Sequence, residues 1–205
     1  MTDTERVALL LNRYGETYAQ QAGIRLADRP QPLYQLLVLV KLLSTRISAD
    51  VAVAAARELF QAGLTSPRAM VDADERTRWH ALAAGHYVRY GGPASAQLAA
   101  GAQLLLDRWG GDLRRMHGEA YGDRTALRAA LTEFPGIGPT GADIFLREVQ
   151  GIWPDVHPYL DSRVTEAAKA VSLPSTPARL ANLVPPERLP SLAAAVLRGS
   201  HDKSL

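Results

Sequence analysis

The sequence predicts an all-α protein, and three observations carry that expectation. Apolar residues recur at three- and four-residue spacing along most of the chain. No run shows the sustained alternation, rich in valine, isoleucine and threonine, that a sheet requires. Proline and glycine clusters cut the pattern into segments of helical length. With 205 residues and 47% hydrophobic content, the chain can bury one ordinary core or the cores of two small lobes.

A first helix is expected near positions 4 to 21. Pro30 and Pro32 mark a break before Leu33 to Leu43, where Leu36, Leu37, Val40 and Leu43 suit a buried helix. Ser48 or Asp50 caps the next, Val51 to Gln61. Thr65-Ser66-Pro67 opens a short helix, since a hydroxyl followed by proline suits a helix start, and Asp72 to Ala84 makes another that stops near Gly85. Gly91-Gly92-Pro93 breaks the chain before a long helix, Ala94 to Trp109, which Gly110-Gly111 ends. Asp123 to Phe134 leads into Pro135-Gly136-Ile137-Gly138, and Ala142 to Gln150 leaves it, a helix, a very tight turn and a second helix. Gly151 to Pro158 is a turn-rich connection, after which Asp161 stands at the start of Ser162 to Val171. Pro174, Pro177, Pro185, Pro186 and Pro190 separate two short closing helices.

Composition excludes several chemistries. The chain has no cysteine, so it holds no disulfide, thiol nucleophile, cysteine-ligated zinc or iron-sulfur cluster. Its histidines, at 80, 86, 117, 157 and 201, have no ligand-like spacing, and no structural metal is expected. No apolar run reaches about 18 residues, so the expectation is a soluble, cytoplasmic chain with no membrane partner. The net charge is +2. Lysine occurs only at 41, 169 and 203, so 20 of the 23 basic residues are arginine, a bias that a GC-rich genome also produces. Such a mild balance neither demands nor forbids nucleic acid.

The turn at Gly136 to Thr140 is the chief candidate for binding. A glycine turn opening a helix leaves N–H groups unpaired, and these attract an anion such as a phosphate. Asp161 is the candidate for chemistry, one carboxylate in a segment close behind such a turn; the same aspartate also suits an N-cap for the helix that follows. Capping and chemistry are compatible, because cap bonds orient the carboxylate.

Four segments in order, Leu42-Leu43-Ser44-Thr45-Arg46 with Asp50-Val51, Gly85-His86-Tyr87, Phe134-Pro135-Gly136-Ile137-Gly138 with Ala142, and Tyr159-Leu160-Asp161-Ser162-Arg163-Val164, resemble the helix-hairpin-helix DNA glycosylases of the endonuclease III superfamily. The resemblance spans roughly positions 33 to 171. It implies two helical lobes with a DNA cleft between them, an N- and C-terminal lobe over 1–32 and 162–205, and a central lobe over 33–161 carrying the hairpin at about 123–150.

The resemblance further implies that Asp161 is catalytic and that Pro135, Gly136, Ile137, Gly138 and Thr140 hold the DNA backbone, with a monovalent cation at Gly136 and Gly138. Arg46 and His86 take the places of the two intercalating residues. Tyr34, Tyr87 and Tyr159 are candidate walls for a flipped base, with Trp153 a weaker one that packing alone explains. Asp143 and Asp50 are bracing acids. The bifunctional members carry a lysine where this chain has Thr140, and no other lysine is expected near the hairpin, so a lysine-driven lyase step is not expected. The chain resembles the cluster-free members. Its implied function is monofunctional base excision in DNA repair, on double-stranded DNA with a damaged base, by a monomer without cofactor, nucleoid-associated and bacterial. The alternatives are a catalytically silent lesion- or structure-specific DNA-binding protein of the same fold, and a helical interaction protein that does not bind DNA.

Overall fold

The computed structural model describes residues 1–202, and among them every regular element is helical. The chain divides into two compact units, one made of residues 1–18 and 146–205, the other of residues 19–145. Sequence reasoning set these divisions at 32/33 and 161/162. In the structure they fall at 18/19 and 145/146, which assigns Asp161 to the unit built from the chain's two ends.

The larger unit is organised around α3 (Pro30–Leu43), which is buried on every side: Leu33, Tyr34 and all residues from Leu36 to Leu42 are inaccessible, the pattern of a core helix. It starts three residues before the expected Leu33, because Pro30 occupies the first helical position, where the N–H that proline lacks has no intrahelical use. Against it pack α4 (Ala49–Gln61), capped by Ser48, and α7 (Gly91–Trp109), whose first turn absorbs the Gly91-Gly92-Pro93 segment where the sequence predicts a break. The short helix expected from Pro67 is α5 (Pro67–Asp72), and the one expected over Asp72 to Ala84 is α6 (Glu75–Ala84), which starts three residues later because Ala73 is extended and Asp74 accepts from Thr77 N–H to cap it. A helix not foreseen, α8 (Leu113–Glu119), follows Asp112, which caps it, and buries Leu113 and Met116. Then come α9 (Arg124–Thr132) and α10 (Pro139–Val149), the latter running out of this unit into the other.

The other unit packs α1 (Asp3–Tyr14) against α13 (Leu189–Gly199) and α13 against α11 (Ser162–Ala170). Val7, Leu10, Val164, Ala168, Leu192 and Val196 form its centre. The predicted single helix over 4 to 21 stops at Gly15, a poor helix former that caps α1, and resumes as the short α2 (Tyr18–Gln21). The closing segments are α12 (Pro177–Ala181) and a 3-10 turn, Pro186–Arg188, before α13. No helix among the described residues is long and apolar enough to cross a membrane.

Candidate functional site

The glycine turn is built as a rigid corner between α9 and α10. Phe134 is buried and stacks on Trp109, ring centroids 5.8 Å apart, which pins the entry to the turn. Ile137 N–H then donates to the Phe134 carbonyl at 3.0 Å. Gly136 has φ +80°, a conformation that favours glycine. Gly138 caps α10, its carbonyl accepting from Ala142 N–H at 3.0 Å. Arg128 of α9 clasps Asp143 of α10 through two bonds of 2.6 and 3.2 Å, so Asp143 braces the hairpin as expected of it.

The corner leaves a set of donors unpaired, of which that of Gly141 lies on a buried residue. Pro139 has no N–H, and the N–H groups of Gly138, Thr140 and Gly141 have no hydrogen-bond partner among the described residues. They lie at the positive end of an 11-residue helix, the setting in which backbone amides hold an anion. The two nearby glycines differ. A Cβ on Gly141 would stand 2.2 Å from Ser44 Oγ, so the fold itself demands glycine there, whereas a Cβ on Gly138 would meet nothing within 4 Å. Gly138 is therefore bare backbone facing open space. Of the carbonyls assigned to a monovalent cation, that of Gly138 accepts from Ala142 N–H, and that of Gly136 accepts no hydrogen bond among the described residues.

Arg46, in the loop between α3 and α4, and His86, after α6, are both exposed. The geometry at His86 has a local cause. Tyr87 N–H reaches back to the Leu82 carbonyl and His86 N–H to that of Ala83, both at 2.9 Å, a Schellman ending that puts His86 at φ +64°. Gly85 is required because a Cβ there would stand 2.3 Å from Ala55 Cα. The buried Tyr87 anchors the ending and donates its hydroxyl to the Leu42 carbonyl at 3.3 Å, and Tyr34 is likewise buried, in α3. Neither ring is open to solvent. Asp50 lies exposed in the first turn of α4, where its charge suits the helix dipole, and Ser48 makes the cap.

The premise that no lysine approaches the hairpin is corrected by the structure. Lys41, 95 positions from Gly136 in the chain, projects from α3 to the turn: a Cβ on Gly136 would stand 2.9 Å from Lys41 Cε and 2.6 Å from Gln97 Oε1. Sequence reasoning missed it because a lysine within an apolar helical run carries no mark of a contact so distant in the chain.

In the smaller unit, Asp161 is held by both carboxylate oxygens. Oδ1 accepts from Val164 N–H at 3.1 Å as the N-cap of α11, and Oδ2 accepts from Arg147 Nη1 at 2.9 Å. Arg147, near the end of α10, is buried, and the Asp161 side chain keeps 14% of its surface exposed. Arg147 had no signal in the sequence, being one arginine among 20. The segment before Asp161 is fixed by Gln150, whose buried amide donates to the Tyr159 carbonyl at 3.1 Å and accepts from Tyr159 N–H at 2.8 Å. Tyr159 is thus half-buried and held by its backbone, while Trp153 is fully buried, as packing alone requires. No cluster of three or more histidine, aspartate or glutamate side chains fit for a metal occurs among the described residues.

No family model and no curated protein matches the chain. Among solved structures it is similar to a trapped endonuclease III–DNA covalent intermediate, an estranged-adenine complex. The identity is 14% over 96% of this chain and 85% of that one, with a TM-score of 0.48.

Proposed function

We propose that this chain is a base-excision DNA glycosylase, which cleaves the N-glycosidic bond of a damaged base flipped out of duplex DNA. The observation that carries this reading is one sequence holding both an open, donor-lined glycine turn and a carboxylate fixed through both oxygens, in segments that resemble those of the helix-hairpin-helix glycosylases. The turn grips a backbone phosphate with the N–H groups of Gly138 and Thr140, and the bare face of Gly138 admits that phosphate closely.

Departure of the base leaves positive charge on the deoxyribose. The carboxylate of Asp161 stabilises that charge and orients a water for attack at the sugar carbon, and its two fixed oxygens cost no reorganisation as the charge develops. Flipping costs a few kcal/mol and leaves a gap in the stack, which the exposed Arg46 and His86 fill. Thr140, with no amine, leaves water as the nucleophile at the hairpin.

The test is a panel of duplex oligonucleotides, each with one lesion class, assayed with and without alkali. Strand breaks seen only after alkali support hydrolytic excision. Breaks without alkali assign an additional lyase step to an amine, and Lys41 is then the first to replace. Release of no base, with tight binding retained, supports the catalytically silent DNA-binding alternative.

A further inference from the structure

Lys41 poses a problem the proposed mechanism does not use. It is 4% exposed, in the central helix of its unit, and no hydrogen bond or ion pair reaches it among the described residues. Burial holds its amine down at about 8. The buried side-chain atom left without a hydrogen-bond partner beside it is the Tyr34 hydroxyl, whereas the Lys41 amine opens on a cavity.

Lys41 lines two cavities. The inner one, about 20 Å³, has room for one water between Tyr34, Leu37 and Phe134. The outer one, about 280 Å³, is bounded by Lys41, Ser44, Tyr90, Pro93, Gln97 and the hairpin's Gly136, and approaches the lower end of ligand-sized pockets, about 300 Å³. Its chemistry is specific. Tyr90 and Pro93 give flat apolar walls. The Gln97 amide, which also has no hydrogen-bond partner among the described residues, both donates and accepts. Ser44 spends its proton on the Val40 carbonyl at 2.7 Å. No carboxylate lines either cavity, and the titratable groups around Lys41 there are the phenols of Tyr34 and Tyr90. The outer cavity therefore has one charge, positive, beside an amide that reads a hydrogen-bonding edge.

We propose that this cavity receives a neutral nucleobase bearing a ring carbonyl, with Lys41 donating to the carbonyl oxygen and Gln97 pairing with the adjacent ring N–H, and that it rejects bases made cationic by N-alkylation. A cationic base would bring a second positive charge against the partly desolvated ammonium, whereas a carbonyl oxygen gives it an acceptor in place of water. Gly136 completes the site, since any side chain there would displace both recognition groups. This assignment rests on the glycosylase reading and names its class of substrate.

The test uses the purified full chain at pH 7 and duplexes carrying uracil, hypoxanthine or 5-hydroxyuracil against duplexes carrying 7-methylguanine or 3-methyladenine, with single-turnover base release as the readout. The neutral set is released at least about tenfold faster, and Lys41→Gln and Gln97→Ala each slow the neutral set by about tenfold or more, the size of a lost hydrogen bond to a charged or buried group. Gln97→Ala, at a half-buried position, decides the matter should Lys41→Gln misfold. Equal or faster release of the cationic set, or neutral-set rates unchanged in both variants, overturns the proposal. If no base is released at all, the glycosylase reading fails instead, and equilibrium binding to the same duplexes judges the cavity. A preference for neutral lesions that Lys41→Gln and Gln97→Ala abolish supports it, and equal binding overturns it.

Discussion

Arg147 and Asp161 face each other at 2.9 Å from the end of one helix to the start of the next, and the arginine is the more buried of the two. The pair makes Asp161 a poor candidate for a merely solvated cap. An N-cap needs only the bond to Val164 N–H, whereas the second oxygen is aimed by a buried guanidinium.

If Asp161 is the proposed catalytic carboxylate, Arg147 positions it, and removal of Arg147 should show in rate more than in binding. Arg147→Met should lower single-turnover excision by about ten- to a hundredfold, as misplacement of a catalytic group does, while leaving affinity for lesion-bearing duplex unchanged. Arg147→Lys, which restores the charge with looser geometry, should recover part of the rate. Equal loss in both variants, together with a matching drop in melting temperature, would assign Arg147 to stability alone.

The hairpin glycines separate folding from binding. Gly136→Ala places a side chain in a left-handed conformation and against Lys41 and Gln97, so it should cost about 1–2 kcal/mol of stability. Gly138→Ala meets no atom, so its melting temperature should stay that of the parent while its affinity for duplex DNA falls several-fold. Thermal unfolding and a binding titration on the same preparations check both, and undiminished affinity in Gly138→Ala would mean that no ligand approaches that face.

Lys41 gives a pH signature. Its amine sits at about 8 in the folded chain against an ordinary 10.5, so below pH 8 both states are protonated and the folded one bears the full cost of a buried charge. Between 8 and 10.5 the unfolded state binds more protons, so stability rises with pH across that window. Lys41→Met should therefore be more stable than the parent at pH 7, by on the order of 3 kcal/mol, and the advantage should vanish as pH passes 10.5. Urea unfolding at pH 7 and pH 10.5 measures it; an advantage that persists at the higher pH would trace to packing rather than charge.

Binding to undamaged duplex should weaken steeply with salt, since phosphate contacts release counterions, with log affinity falling linearly against log salt at a slope near −0.9 per phosphate contact. A titration between 50 and 200 mM salt, the range over which about 6–10 such contacts lose about 10³–10⁵ in affinity, reads that slope. A flat response would remove the phosphate-gripping role from the turn.

Much of the helical layout was legible because it is written in short-range terms. The apolar stripe of α3, the Ser48 and Ser66 caps and the double glycine after Trp109 each act within a turn or two. The errors were also local. Pro30 and Pro93 signal breaks in sequence yet sit in first turns, and the Asp112 cap of α8 is hidden behind two glycines. The candidate site divides in the same way. Gly136, Gly138 and Asp161 stood out by motif, whereas Lys41, Gln97 and Arg147 matter through partners 39 or more positions away or through burial, neither of which a residue's neighbours in sequence reveal. For Arg147 the partner lies only 14 positions on, but across a turn-rich connection that sequence patterning does not fold.

The account stands most directly on Asp161. Substituting asparagine keeps an oxygen for the Val164 cap and removes the negative charge, at a stability cost of about 3–5 kcal/mol because Arg147 loses its counter-charge. The deciding measurement is single-turnover base release by Asp161→Asn, below its melting temperature, from whichever lesion duplex the parent processes. Release should be abolished while the affinity for that duplex is unchanged. Release at the parent rate would contradict the assignment of excision to this carboxylate.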